Sequence, residues 1–188
     1  MDQPIKPPPA FCAPPTEEHR ELLLELGMTP DAAQATIDID TYMGNLRRSM
    51  ARKELGRLAL RDLQLGIDIT DLDIISMIEH GPGPDGEITV GLIAERLAVD
   101  PSRASRIVAD AVDKGIIRRV ASQSDARRIG LQLTEAGRSH AEAIRHYKWS
   151  AFAEALGAWP EEDLVTFARL FKRFSTAVSD TKANRNKS

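Results

Sequence analysis

Ser102, Arg103, Ser105 and Arg106 fall within five consecutive positions, and every one carries a group able to bind a phosphate or a base edge. Arginine can take guanine O6 and N7 in a bidentate pair, and serine hydroxyls reach phosphate or base edges. Further on, Asp125 and Arg127 stand two residues apart, with Arg128 beside them. A guanidinium steadied by a carboxylate suits the narrow, negative minor groove of a duplex. The chemistry these two groups offer is recognition of a polyanion rather than the making or breaking of bonds.

The elements that must carry them are readable from turn chemistry and periodicity. Asp100-Pro101-Ser102 opens a helix that runs to about Lys114. Ala104, Ile107, Val108, Ala111 and Val112 share one face of it, so the serines and arginines project from the rest. The first turn adds backbone donors for a phosphate. On this helix alone, an ordinary solvated basic face accounts for the pattern equally well. Before it come a short apolar helix, Val90 to Leu97, and a tight turn at Ala98-Val99-Asp100. After it, Gly115 ends the helix, and strand-like runs Ile116 to Val120 and Arg128 to Leu133 flank a polar tip, Ser122 to Arg127. That order reads as a winged helix-turn-helix, which presents one helix and one hairpin to DNA.

Net charge of −3 and a pI near 5.8 look wrong for that role. The local balance decides: Pro101 to Gly130 holds seven basic residues against three acidic ones, a segment charge of +4. With 188 residues, 42% hydrophobic and 28% charged, the composition is that of a soluble globular chain. No apolar run approaches the roughly 18 to 20 residues that a membrane span needs, and no secretory leader pattern opens the chain. A single cysteine, Cys12, excludes an internal disulfide framework. These features place the protein in the cytoplasm. Enzymatic classes find no anchor: there is no phosphate-cradling Gly loop, no nucleophile elbow and no H-E-x-x-H. No cofactor is expected.

Met1 to Pro15 holds six of the eleven prolines, the composition of an extended tail. Thr16 caps a short helix, Glu17 to Leu26, followed by Gly27. Thr29-Pro30-Asp31 starts a long helix expected to reach about Leu63, with Ile39, Tyr42, Met43, Leu46 and Met50 on one face and a bend admissible at Gly44 or Gly56. Thr70-Asp71-Leu72-Asp73 reads as an acidic capping box for a helix with Leu72, Ile75 and Ile78 inward. Gly81 to Gly86 is a loop, and Ile88-Thr89 a short strand. Thr134-Glu135-Ala136-Gly137 opens a helix to about Leu156. After Gly157 and Pro160, a last helix carries an apolar stripe of Leu164, Phe167, Leu170, Phe171 and Phe174, placed to form core or to pack on another subunit.

Here the sequence resembles the MarR family of bacterial transcription regulators. The resemblance rests on Ile93-Ala94-Glu95-Arg96-Leu97, Pro101 to Val108, Lys114 to Arg119, the wing element Asp125-Ala126-Arg127, and Leu131-Gln132-Leu133-Thr134-Glu135-Ala136-Gly137. It implies a homodimer whose recognition helices lie in successive major grooves, about 34 Å apart, over a pseudo-palindromic operator. It also implies release from double-stranded DNA, as a repressor, by a small aromatic acid or an aromatic acyl-CoA. Tyr42, Met43, Leu46 and Arg47 are the candidate lining of the effector pocket, Arg47 facing a carboxylate; as core and surface residues they need no ligand at all. The Pro-rich arm and the extra helix before Thr29 depart from the family pattern.

The expected fold is thus mainly α, an α+β winged helix-turn-helix lobe with a helical dimerisation region formed by N- and C-terminal helices. The divisions are 1–28 (arm and extra helix), 29–66 (N-terminal dimerisation helix), 67–134 (DNA-binding lobe), 135–181 (C-terminal dimerisation helices) and 182–188 (polar tail). Two other functions fit less of the chain: a winged-helix scaffold for protein partners, and a redox-sensing regulator using Cys12. The latter lacks a basic partner that would lower the thiol pKa, save Lys6. The four histidines are scattered; Glu142 and His146, four apart, make a solvated pair more readily than a metal site, so no metal is expected.

Overall fold

The computed structural model describes residues 15–81, 87–121 and 129–185, the last five by backbone alone. The arm with Cys12, the 82–86 loop and the hairpin tip with Asp125, Arg127 and Arg128 lie outside the described residues. The chain divides into two compact units, Met1–Asp62 and Leu63–Ser188.

In the first unit, helix α1 (Glu17–Glu25) packs on α2 (Pro30–Ala51), and α3 (Glu54–Leu63) follows. Thr16 caps α1, its N–H donating to His19 Nδ1 at 3.0 Å. Thr29 caps α2, accepting from the Ala32 N–H, with Pro30 in the first turn as expected. The long helix does not run unbroken to Leu63. It ends at Ala51, and Lys53 takes a left-handed φ of 53° before α3 begins. Neither Gly44 nor Gly56 makes the break; Gly44 sits buried within α2. The break lies in Arg52-Lys53, residues that carry no glycine or proline signal, and Ser49 and Arg52 bracket it by donating to the Glu54 carboxylate.

The second unit holds α4 (Ile69–His80), α5 (Val90–Leu97), α6 (Pro101–Asp113), strands β1 (Ile117–Ala121) and β2 (Ile129–Leu133), α7 (Glu135–Leu156) and α8 (Glu161–Arg185). The strands pair antiparallel, Ile117 opposite Leu133 and Ala121 opposite Ile129. Ile88 adds a single bridge to Leu131, whose N–H donates to the Ile88 carbonyl. Ile74, Ile75, Ile93, Val108, Ile116, Ile117 and Leu131 form one core that joins α4, α5, α6 and the hairpin. The architecture is the expected mainly helical winged helix-turn-helix with a two-stranded wing.

Two details of α4 differ from the sequence reading. Its cap is Asp68, which accepts from the Thr70 and Asp71 N–H groups, while Asp71 accepts from the Asp68 N–H. The inward residues are Asp71, Ile74 and Ile75, with Leu72 and Ile78 only half-buried. The buried face is thus turned by one residue, and an aspartate, not Leu72, stands at its N-terminal end.

The hairpin is fastened to α7 by Thr134 and Gly137. Thr134 Oγ1 accepts the Gly137 N–H at 3.0 Å, and it donates toward the Gly115 and Ile116 carbonyls. Gly137 then rests against the Ile116 carbonyl so closely that an added Cβ would lie 2.1 Å from that oxygen. The T-x-x-G pattern is therefore a cap combined with a close helix–strand approach.

Candidate nucleic-acid interface

Helix α6 is started by Asp100, whose carboxylate accepts the Arg103 N–H at 2.9 Å, and by Pro101. The preceding turn is tight: Ala98 adopts a left-handed φ of 52°, and the Val99 N–H returns to the Ala94 carbonyl. Burial of Ala104, Val108 and Ala111 sets the rotation of the helix. Ser102, Arg103, Ser105 and Arg106 are all left exposed on its first two turns. The Ser105 hydroxyl donates to the Pro101 carbonyl at 2.9 Å, which leaves its lone pairs free to accept. Among the described residues, Arg103 and Arg106 have no ion-pair or hydrogen-bond partner in their side chains. Their charges are uncompensated at the surface, as a polyanion site requires.

The hairpin adds cations that sequence reasoning counted but did not assign. Arg118 donates to Gln132 across the strands at 3.1 Å. Arg119 is exposed and without a partner among the described residues. A position on the wing strand was the signal that could have singled it out.

At the far end of α6 the electrostatics change sign. Lys114, its C-terminal cap, directs its ammonium at three carboxylates: Asp110 at 2.7 Å, Asp71 at 2.8 Å and Asp68 at 3.2 Å. Asp71 is only 2% exposed. The three aspartates are spaced closely enough to hold a metal ion, but the lysine ammonium already stands among them as the cation. On α7, Glu142 and His146 have no third ligating side chain grouped with them among the described residues.

Hydrogen bonds from Lys114 to Asp110 and Asp71 hold the ammonium pKa well above its ordinary 10.5 against an opposing effect of burial, with Asp68 adding to the rise. For Asp68, burial pushes upward, but the Asp71 and Thr70 N–H groups and Lys114 outweigh it, and the pKa falls below 3.8. A depressed carboxylate stabilises the fold above its unfolded pKa and loses that contribution as pH falls through the folded value. A raised ammonium stabilises it below its unfolded pKa and loses the contribution as pH rises through the folded value. The cluster's contribution is therefore expected to be level from about pH 4 to about pH 10 and to drop away on either side. Thermal melts of the native chain and of Asp68→Asn check this. The acid-side difference between the two should shrink below pH 4, and a constant difference there would contradict the assignment.

The residues expected to line an effector pocket lie on α2 of the first unit. Tyr42, Leu46 and Arg47 are exposed and Met43 is half-buried. The second unit has a cleft of its own, about 410 Å³, between α4 and α7, lined by Leu72, Ile75, Ile144, Arg145, Lys148 and Trp149 among others. Arg145 pairs with Glu79 across it, and the Lys148 ammonium lies 5.7 Å from the Trp149 ring. Its walls are apolar and its rim carries Glu79, Arg145 and Lys148.

Residues 65–128 match the MarR family. The fold is similar to that of the transcriptional regulator Tm0710 from Thermotoga maritima, at 19% identity, a TM-score of 0.61, and coverage of 76% of this chain and 98% of that one. It is also similar to a mutant of S. aureus MepR bound to an oligodeoxyribonucleotide (21% identity, TM-score 0.50, 71% and 96% covered). S. aureus MepR bound to ethidium bromide gives 21% identity, a TM-score of 0.53, and 71% and 95% covered. No curated protein sequence matches the chain. Among the described residues, no helix is long and apolar enough to cross a membrane.

Proposed function

We propose that this chain, whose residues 65–128 match the MarR family and whose fold is the winged helix of MarR-type regulators, binds operator DNA as a homodimer and is released by a small aromatic acid or its CoA thioester. The observation that carries the DNA-binding reading is the exposed set on α6, Ser102, Arg103, Ser105 and Arg106, whose two guanidinium groups have no partner among the described residues. A capped helix N-terminus with two free guanidinium groups can enter a major groove with both phosphate and base-edge donors. Arg127, with Asp125 beside it and Arg128 next in the chain, is the proposed minor-groove probe of the wing.

The S. aureus MepR structures of similar fold, one bound to an oligodeoxyribonucleotide and one to ethidium bromide, support a nucleic acid and a small aromatic molecule as the two ligands. An acid suits the α4–α7 cleft through Lys148, since the Arg145 charge there is already paired with Glu79. Tyr42, Met43, Leu46 and Arg47 on α2 are the proposed effector contacts of the first unit. The effector would act as a repressor's inducer does, binding more tightly to a dimer whose recognition helices no longer match the operator spacing.

The test is fluorescence anisotropy at fixed salt, on a duplex enriched from a random-sequence pool by the native protein. Arg106→Ala is expected to cost about 1 to 3 kcal/mol and to relax preference among related duplexes. Arg127→Ala should weaken all duplexes alike and make the salt dependence shallower. Native affinity in both variants would remove Arg106 and Arg127 from the interface, and no DNA association even at low salt would leave the protein as a scaffold for protein partners.

A further inference from the structure

We infer that Lys114 is a positioning residue for DNA recognition, its ammonium tying the C-terminal cap of α6 to the first turn of α4 so that α6 points its reading residues in one fixed direction. This rests on the DNA-binding reading above and adds a residue on the opposite end of the helix from the duplex. Lys114 reaches Asp71 and Asp68, which lie 43 and 46 residues earlier in the chain, as well as Asp110 one turn back on its own helix. Asp68 and Asp71 are themselves locked together as the reciprocal cap of α4. The lysine therefore grips the capped N-terminus of that helix.

The arrangement leaves the ammonium no role in touching DNA directly. Its three N–H groups face three carboxylates, which uses its full donor capacity. Three carboxylates around one cation also repel a phosphate. What the contact can do is hold an angle. Ser102 to Arg106 lie about 12 to 18 Å up the helix from Lys114 at 1.5 Å rise per residue, so a tilt of about 10° there shifts them by about 2.5 Å. Hydrogen bonds to base edges tolerate a few tenths of an ångström. Phosphate contacts through flexible arginines tolerate more, so a loosened α6 should lose sequence preference before it loses general DNA affinity.

The experiment compares Lys114→Met and Lys114→Arg in the full chain, on the duplex enriched by the native protein and on a scrambled duplex of the same composition. Thermal melting establishes that each variant is folded at the assay temperature. Lys114→Met is expected to lose about tenfold in its enriched-to-scrambled affinity ratio, the discrimination carried by one base contact. Lys114→Arg, which keeps the charge and the donors, should keep the ratio within about threefold. A Lys114→Met protein that is folded and keeps the native ratio overturns the assignment. Should Lys114→Met fail to fold because Asp71 is stranded, the pair Asp71→Leu with Lys114→Met removes both charges; a native ratio there overturns it equally. If the native protein enriches no duplex, the DNA-binding reading falls by itself. The tie is then judged by amide hydrogen exchange: faster exchange around Ala111 to Ile117 in Lys114→Met supports it, and unchanged exchange rejects it.

Discussion

Phe171→Asp is expected to abolish the proposed homodimer and, with it, the proposed affinity for an operator at nanomolar to micromolar protein. Along α8, Phe167, Leu170, Phe171 and Phe174 recur at the three- and four-residue spacing that puts them on one side. Within the single chain these four side chains are 39% to 49% exposed, and Val178 extends the row. Phe167 stacks on Phe171 at 5.8 Å and meets Trp159 edge-on at 5.7 Å. A continuous aromatic stripe of this kind, open to water, is the face of a helix made to be covered. In a two-fold dimer each substitution counts twice. Every copy loses about 1.5 to 3 kcal/mol of apolar burial and must bury a carboxylate or expose its partner, at several kcal/mol more. The dissociation constant should rise by at least about three orders of magnitude.

Operator affinity falls with it, because a half-site held alone forfeits the effective concentration that the second recognition helix enjoys. Analytical ultracentrifugation over a dilution series reads the first effect, and anisotropy reads the second. Thr176→Asp, on the opposite side of α8, serves as the control and should stay dimeric. A Phe171→Asp protein that remains dimeric at the lowest concentration would refute α8 as the pairing face.

Gly137→Ala is expected to destabilise the winged-helix lobe by about 2 kcal/mol despite alanine's better helix propensity. In an open helix the exchange gains up to about 1 kcal/mol. Here the new Cβ would sit 2.1 Å from the Ile116 carbonyl oxygen, 3.1 Å from its carbon and 3.3 Å from a Leu133 methyl. The carbonyl cannot swing aside, since it accepts from the Thr134 N–H at 3.0 Å. Ile116 is itself fully buried in the core. Relief must come from moving α7 away from the hairpin, which costs about 1 to 3 kcal/mol or more in a packed interior. Thermal unfolding should drop by about 4 to 8 °C. An unchanged or higher melting temperature would mean that α7 can shift without loss, and that the close approach is not what the glycine serves.

The features legible in the amino-acid order are those written within one helical turn. The starts of α2, α6 and α7 each combine a capping side chain with the N–H two or three residues on: Thr29, Asp100 and Thr134. Such a bond depends on spacing alone, so α5, α6 and the wing strands lie within a residue or so of where the pattern put them. The two-turn set of Ser102, Arg103, Ser105 and Arg106 was legible for the same reason, since the apolar residues between them decide which side is left over.

Matters in which distant segments compete were left to packing. The long first helix gives way at Arg52-Lys53, where no breaker residue stands, and Lys53 accepts a left-handed backbone. For α4, the sequence pattern pointed to Thr70 as the cap, and the helix starts from Asp68, two residues earlier. The choice fell to Asp68 because Asp71 then returns a bond to it and meets Lys114 from another helix. A partner 43 residues away leaves no periodic mark in either segment. Whether an aspartate faces water or an ammonium is set by packing of the core between them, and that is why the exposed face of α6 could be found in the sequence while the lysine that joins α6 to α4 could not.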